Sequence, residues 1–160
     1  MYVCDANALI NLWRNFKNLA ISSLRKELRS GNLKLPEGIV RELMKGKDAL
    51  AKFARDYEQE IIVYINYNPN LLKEFQRIDM AYGNEIVTGK QKFKGFWVTP
   101  SGKQGRDAQV VAVAKVTKAV AVSDDEAVRR ACLLENVECI GWMEYARRLG
   151  LAKQLSFFSQ

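Results

Sequence analysis

The sequence predicts an α/β sandwich, a mostly parallel central sheet with helices on both faces, built as one domain over residues 1–160. Three observations predict it. Short apolar segments alternate with helical ones along most of the chain, the pattern of parallel βαβ units. Two strand candidates, Tyr2 to Cys4 and Ile61 to Ile65, are apolar throughout rather than alternating, as strands covered on both faces are. No linker, repeat or low-complexity tract divides the chain, and its length sits near that of a common domain able to bury a core without staples.

Taken in order, Tyr2-Val3-Cys4 is an apolar run ending at Asp5, as a buried strand would. Leu9, Leu12, Trp13 and Phe16 then recur at helical spacing over Ala8 to Phe16, and Ile21, Leu24 and Leu28 do so over Leu19 to Arg29, with Gly31 as the expected C-cap. Leu33 to Pro36 reads as a short strand running into a helix over Glu37 to Lys45. Leu50, Phe53, Ala54 and Tyr57 predict one helix over Asp48 to Glu60. Ile61 to Ile65 carries the strongest strand signal, β-branched and aromatic throughout. A turn over Asn66 to Asn70 and a helix over Leu71 to Tyr82 follow, then a Gly-, Lys- and Thr-rich stretch over Gly83 to Gly105 expected to be a long loop or a mobile hairpin. Helix Asp107 to Thr117, strand Ala119 to Val122, helix Asp124 to Glu135, strand Val137 to Ile140 and helix Trp142 to Leu149 complete the pattern.

Composition narrows the chemistry. There is no histidine, which removes imidazole as base, nucleophile or ligand, and with it serine–histidine hydrolysis and histidine-zinc sites. Any catalysis must come from carboxylates, Lys or Arg, hydroxyls or thiols. The net charge of +7 favours a polyanionic partner. Cys4, Cys132 and Cys139 are an odd set without metal-type spacing, which suits a reducing cytoplasm. No apolar run approaches the length of a membrane span, and the N-terminus lacks the pattern of a signal peptide.

In an open parallel sheet, ligands sit beyond the carboxyl ends of the strands. Asp5 closes the first strand, and Asp124 and Asp125 follow the strand over Ala119 to Val122, so both segments deliver carboxylates to one edge. Glu42 lies within a helix, turned toward the cleft, and Asp107 opens one. Each acid has a plainer reading. Asp107 caps its helix, Ser123 to Glu126 fits a capping box with Ser123 as N-cap, and Glu42 pairs with a nearby Lys. Asp5 alone is expected to lack a competing structural role. Together, clustered carboxylates repel one another unless a divalent cation neutralises them. Hard oxygen donors without His or Cys point to Mg2+ or Mn2+, which would polarise a phosphate and activate a water.

These residues resemble the PIN-domain nucleases, and among them the VapC-like toxin ribonucleases of prokaryotic toxin–antitoxin modules. Asp5-Ala6-Asn7-Ala8-Leu9-Ile10 resembles the opening Asp-x-Asn-x-Leu-Ile of that family. Val40-Arg41-Glu42-Leu43 resembles its second acidic motif, Asp107-Ala108-Gln109 before an Ala-rich helix its third, and Val122-Ser123-Asp124-Asp125 its fourth. The family's usual Thr after the first acid is Ala6 here. The resemblance spans nearly the whole chain. It implies a PIN-like three-layer sandwich whose Asp5, Glu42, Asp107 and Asp125 hold the metal, with Asn7 and Ser123 orienting carboxylates or water. Asp124 competes with Asp125 for the fourth position, although the spacing from Ser123 favours Asp125. Further implications are an RNA substrate, a cognate antitoxin and a homodimer.

The Lys-rich stretch is the expected RNA contact. Lys90, Lys92, Lys94, Lys103 and Arg106 occur there with no acid between Glu85 and Asp107, interleaved with Phe93, Phe96 and Trp97. Cations suit phosphates and aromatic faces suit unstacked bases. The plainer reading tucks Phe96-Trp97-Val98 into the core. Two rivals remain. A receiver-type phosphoacceptor needs an acidic pair after its first strand, and Cys4-Asp5 gives none. A non-catalytic PIN-like RNA- or protein-binding module is disfavoured by the presence of all four acids.

Overall fold

The chain forms one five-stranded parallel sheet flanked by helices, and a separate two-stranded hairpin. The computed structural model describes residues 1–83, 85–97 and 105–151, the side chains of 85–88, 93 and 94 excepted. The strands are β1 (Tyr2–Cys4), β2 (Leu33–Pro36), β3 (Ile62–Val63), the hairpin pair β4 (Glu85–Thr88) and β5 (Gln91–Lys94), β6 (Val120–Val122) and β7 (Cys139–Ile140). Helices are α1 (Ala6–Phe16), α2 (Asn18–Arg29), α3 (Glu37–Met44), α4 (Ala49–Asp56), α5 (Glu58–Ile61), α6 (Pro69–Gly83), α7 (Gly105–Thr117), α8 (Glu126–Leu134) and α9 (Trp142–Arg148).

The sheet order is β3-β2-β1-β6-β7, so the chain winds outward from β1 to one edge and returns to build the other. Tyr2 registers beside both Leu33 and Val120, and Cys4 beside Val122. Right-handed crossovers in opposite directions put the helices on opposite faces. Accordingly α1 packs with α2 and α9, and α7 packs with α6 and α8. Val3, Ala121 and Val122 are wholly buried, which explains why β1 and β6 are apolar throughout; in β2, Leu33 and Leu35 are wholly buried on either side of a half-buried Lys34. This is the α/β sandwich that the PIN resemblance implies.

Helix α7 is central. It lies across β1, β2 and β6 with α6 outside it, and Ala108, Val110, Val111, Ala112, Val113 and Ala114 are all buried. A helix apolar on every side fits between a sheet and another helix. Among the described residues, no helix is long and apolar enough to cross a membrane.

Three readings of local structure change. The expected strand Ile61 to Ile65 contracts to Ile62–Val63, since Ile61 ends α5 and Ile65 opens a 3-10 turn over Ile65–Tyr67. Both isoleucines are buried, so their β-branched bulk serves the core and not a longer strand. The helix expected over Asp48 to Glu60 breaks at Tyr57, and the turn before α6 is closed by Asn68, whose carboxamide oxygen accepts from the Asn70 and Leu71 amides. Ser30, not Gly31, caps α2; Gly31 follows at φ +74°, a conformation glycine adopts without steric cost.

Candidate active site

The chain changes direction in the sheet between β1 and β6, and such a switch point opens a crevice at the carboxyl ends of the two strands. A cavity of about 230 Å3 lies there, and Asp5, Asn7, Glu42, Arg106, Asp107 and Asp125 all line it. The four acids expected to act together therefore meet in one cleft, contributed by the end of β1, by α3, by the start of α7 and by the segment after β6.

Asp5 is the most deeply set, only 6% exposed. Its Oδ1 accepts from the Ala8 amide at 2.8 Å, making it the N-cap of α1, while the Ser123 hydroxyl donates to Oδ2. The expectation that Asp5 lacks a structural role is thus corrected: a strand ending directly at a helix needs a cap, and Asp5 is that cap. Burial pushes its carboxyl above the usual range, and the charges of Asp125 and Asp124 add to this, while the hydrogen bonds from Ser123 and Ala8 oppose it.

The segment after β6 also differs from the expected capping box. Asp125, not Ser123, caps α8, accepting from the Val128 amide at 3.2 Å. Ser123 is wholly buried behind the cleft, with its hydroxyl bonded to Asp5 and accepting from the Asp125 amide at 3.1 Å, so it joins the two acids. Asp124 turns the other way, its Oδ2 accepting from the Trp142 amide at 2.9 Å where α9 begins. Asp125 lines the cleft and Asp124 does not.

Asp107 stands in the first turn of α7, and burial, then the charges of Asp125, Asp5 and Glu42, push its carboxyl up to about 7 against the opposing pull of Arg106. Glu42 Oε2 lies 2.9 Å from Arg106 Nη1. Among the described residues, no three of the acids are gathered closely enough to hold a metal ion as they stand. The donor set nevertheless fits a hard divalent cation in kind and in charge, because four carboxylates line the cleft with one guanidinium among the described residues.

One tie was not anticipated from sequence. The Gly38 amide donates to Gln109 Oε1 at 2.9 Å, linking the start of α3 to the first turns of α7. A Cβ on Gly38 would stand 2.8 Å from that oxygen, so a side chain there would push the Gln109 carboxamide aside. The tie sets the helix bearing Glu42 against the helix bearing Asp107. Its signal was Gln109 itself, a polar residue in an otherwise apolar stretch, Ala108 to Ala114.

The expected RNA contacts separate. Arg106 lines the cleft. Lys90 and Lys92 are exposed on the hairpin, Lys94 is in β5 with its side chain outside the described set, and Lys103 lies outside the described residues altogether. Phe96, partly buried, stacks on Tyr82, and Trp97 is 2% exposed, so both rings root the hairpin in the core and Trp97 is unavailable to bases. Val98 and the Phe93 side chain lie outside the described set.

A second cavity, about 340 Å3, adjoins the cleft through Asn7 and Asp125 and follows α1 to Asn11 and Arg14. A larger one, about 570 Å3, lies beyond Asp124 between Arg129 and Cys139. Its charges are mostly engaged, with Glu126 paired to Arg130 and Asp124 bonded to Trp142, so the smaller acidic cleft is the stronger candidate for chemistry.

A family model described as a domain of unknown function, DUF4411, matches residues 2–152. None of the curated proteins matches the sequence. Among solved structures, the chain is similar to PAE2754 from Pyrobaculum aerophilum, with 18% identity and a TM-score of 0.52 over 93% of this chain and 94% of that one. It is also similar to FitAB bound to an IR36 DNA fragment, with 14% identity and a TM-score of 0.48 over 89% and 95% of the two chains. VapBC-1 from nontypeable Haemophilus influenzae gives 15% identity and a TM-score of 0.49 over 89% and 98%. At such identities the likeness to PAE2754 is one of fold.

Proposed function

The chain belongs to the DUF4411 family, and from that premise we propose that its acidic cleft hydrolyses phosphodiester bonds in RNA with a bound Mg2+ or Mn2+. The observation that carries the reading is the convergence of Asp5, Glu42, Asp107 and Asp125 on one cleft, where burial and the other three acids push the Asp107 carboxyl up to about 7. Carboxylates kept together with so little counter-charge favour a cation.

Asp5, Glu42, Asp107 and Asp125 would hold that ion. When bound, it supplies Lewis acidity, drawing charge from a phosphate oxygen and acidifying water. The chain's own residues do the rest. Ser123 fixes the Asp5 carboxylate and the Asp125 backbone in one arrangement, and the Gly38–Gln109 bond sets α3 against α7. Asp107, pushed up to about 7 by burial and by its acidic neighbours, would join the ion's ligands as a carboxylate. Asn7 stands where the cleft meets the neighbouring groove along α1, able to offer its carboxamide to the substrate or to a water. The net charge of +7 suits a polyanion. We extend the proposal, on the PIN resemblance, to a toxin with a cognate antitoxin, acting as a homodimer in the cytoplasm.

Purified protein incubated with RNA and Mg2+ or Mn2+, beside EDTA and Asp5→Asn controls, tests the reading. Asparagine keeps the α1 cap, so the variant isolates the charge. Cleavage is expected with metal only, and cleavage persisting in EDTA or in the variant would sink the proposal. A second reading, a non-catalytic RNA- or protein-binding module, is favoured by the acids not being gathered for a metal. It predicts RNA bound and left intact with every divalent cation.

A further inference from the structure

We propose that Arg106 is the resting counter-ion of this cleft: it holds Glu42 in the metal-free protein, releases it on cation binding, and then presents its guanidinium to an RNA phosphate. This inference rests on the reading that the cleft takes a divalent cation.

Among the described residues, Arg106 is the basic side chain that lines the cleft. It contacts Glu42 at 2.9 Å and opposes the rise of the Asp107 carboxyl next to it in sequence. One guanidinium stands against the four acids that line the cleft with it. The acids also differ in how far each is committed. Asp5 and Asp125 each give an oxygen to a helix cap, to Ala8 and Val128. Glu42 caps no helix, and its partner is Arg106.

The arrangement explains why acids that share a cleft are not gathered for a metal. Glu42 is drawn to an arginine instead of to its fellow carboxylates. Both side chains can change partner, since Glu42 is 37% and Arg106 24% exposed, and a partly solvated ion pair is weak enough to yield to a doubly charged ion. The Gly38–Gln109 bond ties α3 to α7 where these two residues sit, so the exchange is a rotation of side chains and not a shift of helices. Once released, Arg106 remains beside the acids, and its planar fork suits a phosphate better than a lysine would.

Calorimetric titration of Mn2+ into metal-free wild type, Arg106→Ala, Arg106→Lys and Asp5→Asn tests the proposal, with RNA cleavage kinetics measured alongside. Arg106→Ala is expected to bind Mn2+ roughly three- to tenfold more tightly, because a competing positive charge has gone. It is also expected to cleave RNA with a raised KM, and Arg106→Lys to stay near wild type in Mn2+ affinity. Arg106→Gln, equally uncharged but longer, guards against a folding defect in the alanine variant. Unchanged or weaker Mn2+ binding in both uncharged variants would overturn the proposal, since Arg106 would then be a prop for Glu42. Tighter Mn2+ binding with an unchanged KM would remove the phosphate half. If Asp5→Asn loses Mn2+ while Arg106→Ala does not differ from wild type, the metal reading stands and this one falls. Absence of Mn2+ binding from wild type and variants alike removes both.

Discussion

Helix α7 has an acidic cluster near each end, and the two are opposite in character. At its close, Glu135 is buried and receives hydrogen bonds from Arg77, Tyr82 and Lys115. Burial pushes the Glu135 carboxyl up, but the bonds from Arg77, Lys115 and Tyr82 outweigh it and bring it down to about 2. Eight residues before Lys115, about 12 Å along the helix, Asp107 is pushed up to about 7 by burial and by three other acids, with Arg106 opposing. The chain completes one cluster with its own cations and leaves the other short of them. Counter-charge, not burial, separates the acid that holds elements together from the acids poised to bind something.

The contrast can be broken at either end. The largest effect is expected from Asp107→Asn, which should lower RNA cleavage by roughly a hundredfold or more while leaving the fold intact, as steady-state kinetics and circular dichroism would check. Glu135→Gln should do the reverse. It strands Arg77 and Lys115 beside a buried amide and should cost about 2 kcal/mol of stability in urea unfolding, with cleavage per folded molecule unchanged.

Acid and alkali should separate the clusters next. The Asp107 carboxyl is raised, so it destabilises the metal-free protein increasingly as pH climbs from the unfolded value near 4 through about 7. Asp107→Asn should therefore be the more stable protein at pH 8, by about 1 kcal/mol after discounting for solvent, and the advantage should vanish by pH 4. Glu135 is lowered, so its contribution is full above the unfolded value near 4.3 and is lost as pH falls toward about 2. Thermal melts of wild type and both variants across that range would show the two signs. The smallest effect is expected from Gly38→Ala, which sets a methyl against Gln109 and should cost about 1 kcal/mol of stability with a few-fold loss of cleavage.

Much of the fold was legible because its central strands are covered on both faces and its outer helices are buried on one. Val3 and Ala121 announce the sheet by sitting within apolar runs, and Leu9, Leu12 and Phe16 announce α1 by period. Ile61 to Ile65 misled because β-branched residues also fill cores at helix ends. The four acids were legible as a group from order and position, and they do meet in one cleft. Their partners were not. Whether Ser123 caps a helix or bonds Asp5, whether Asp124 or Asp125 faces inward, and whether Arg106 points to solvent or to Glu42 depend on contacts between segments far apart in sequence. Local pattern carries no such information.

The double duty of Asp5 has a consequence for reading related sequences. A residue that starts α1 and also faces the cleft is kept in place by folding alone, so a lineage that abandoned the chemistry would be slow to discard it. Asp125 is sheltered in the same way by α8. Glu42 has no such shelter, since it caps no helix and is more than a third exposed. Across a set of descendants, the first mark of a cleft fallen out of use would be drift at Glu42, and its presence would say more about activity than the aspartate that opens the chain's first motif.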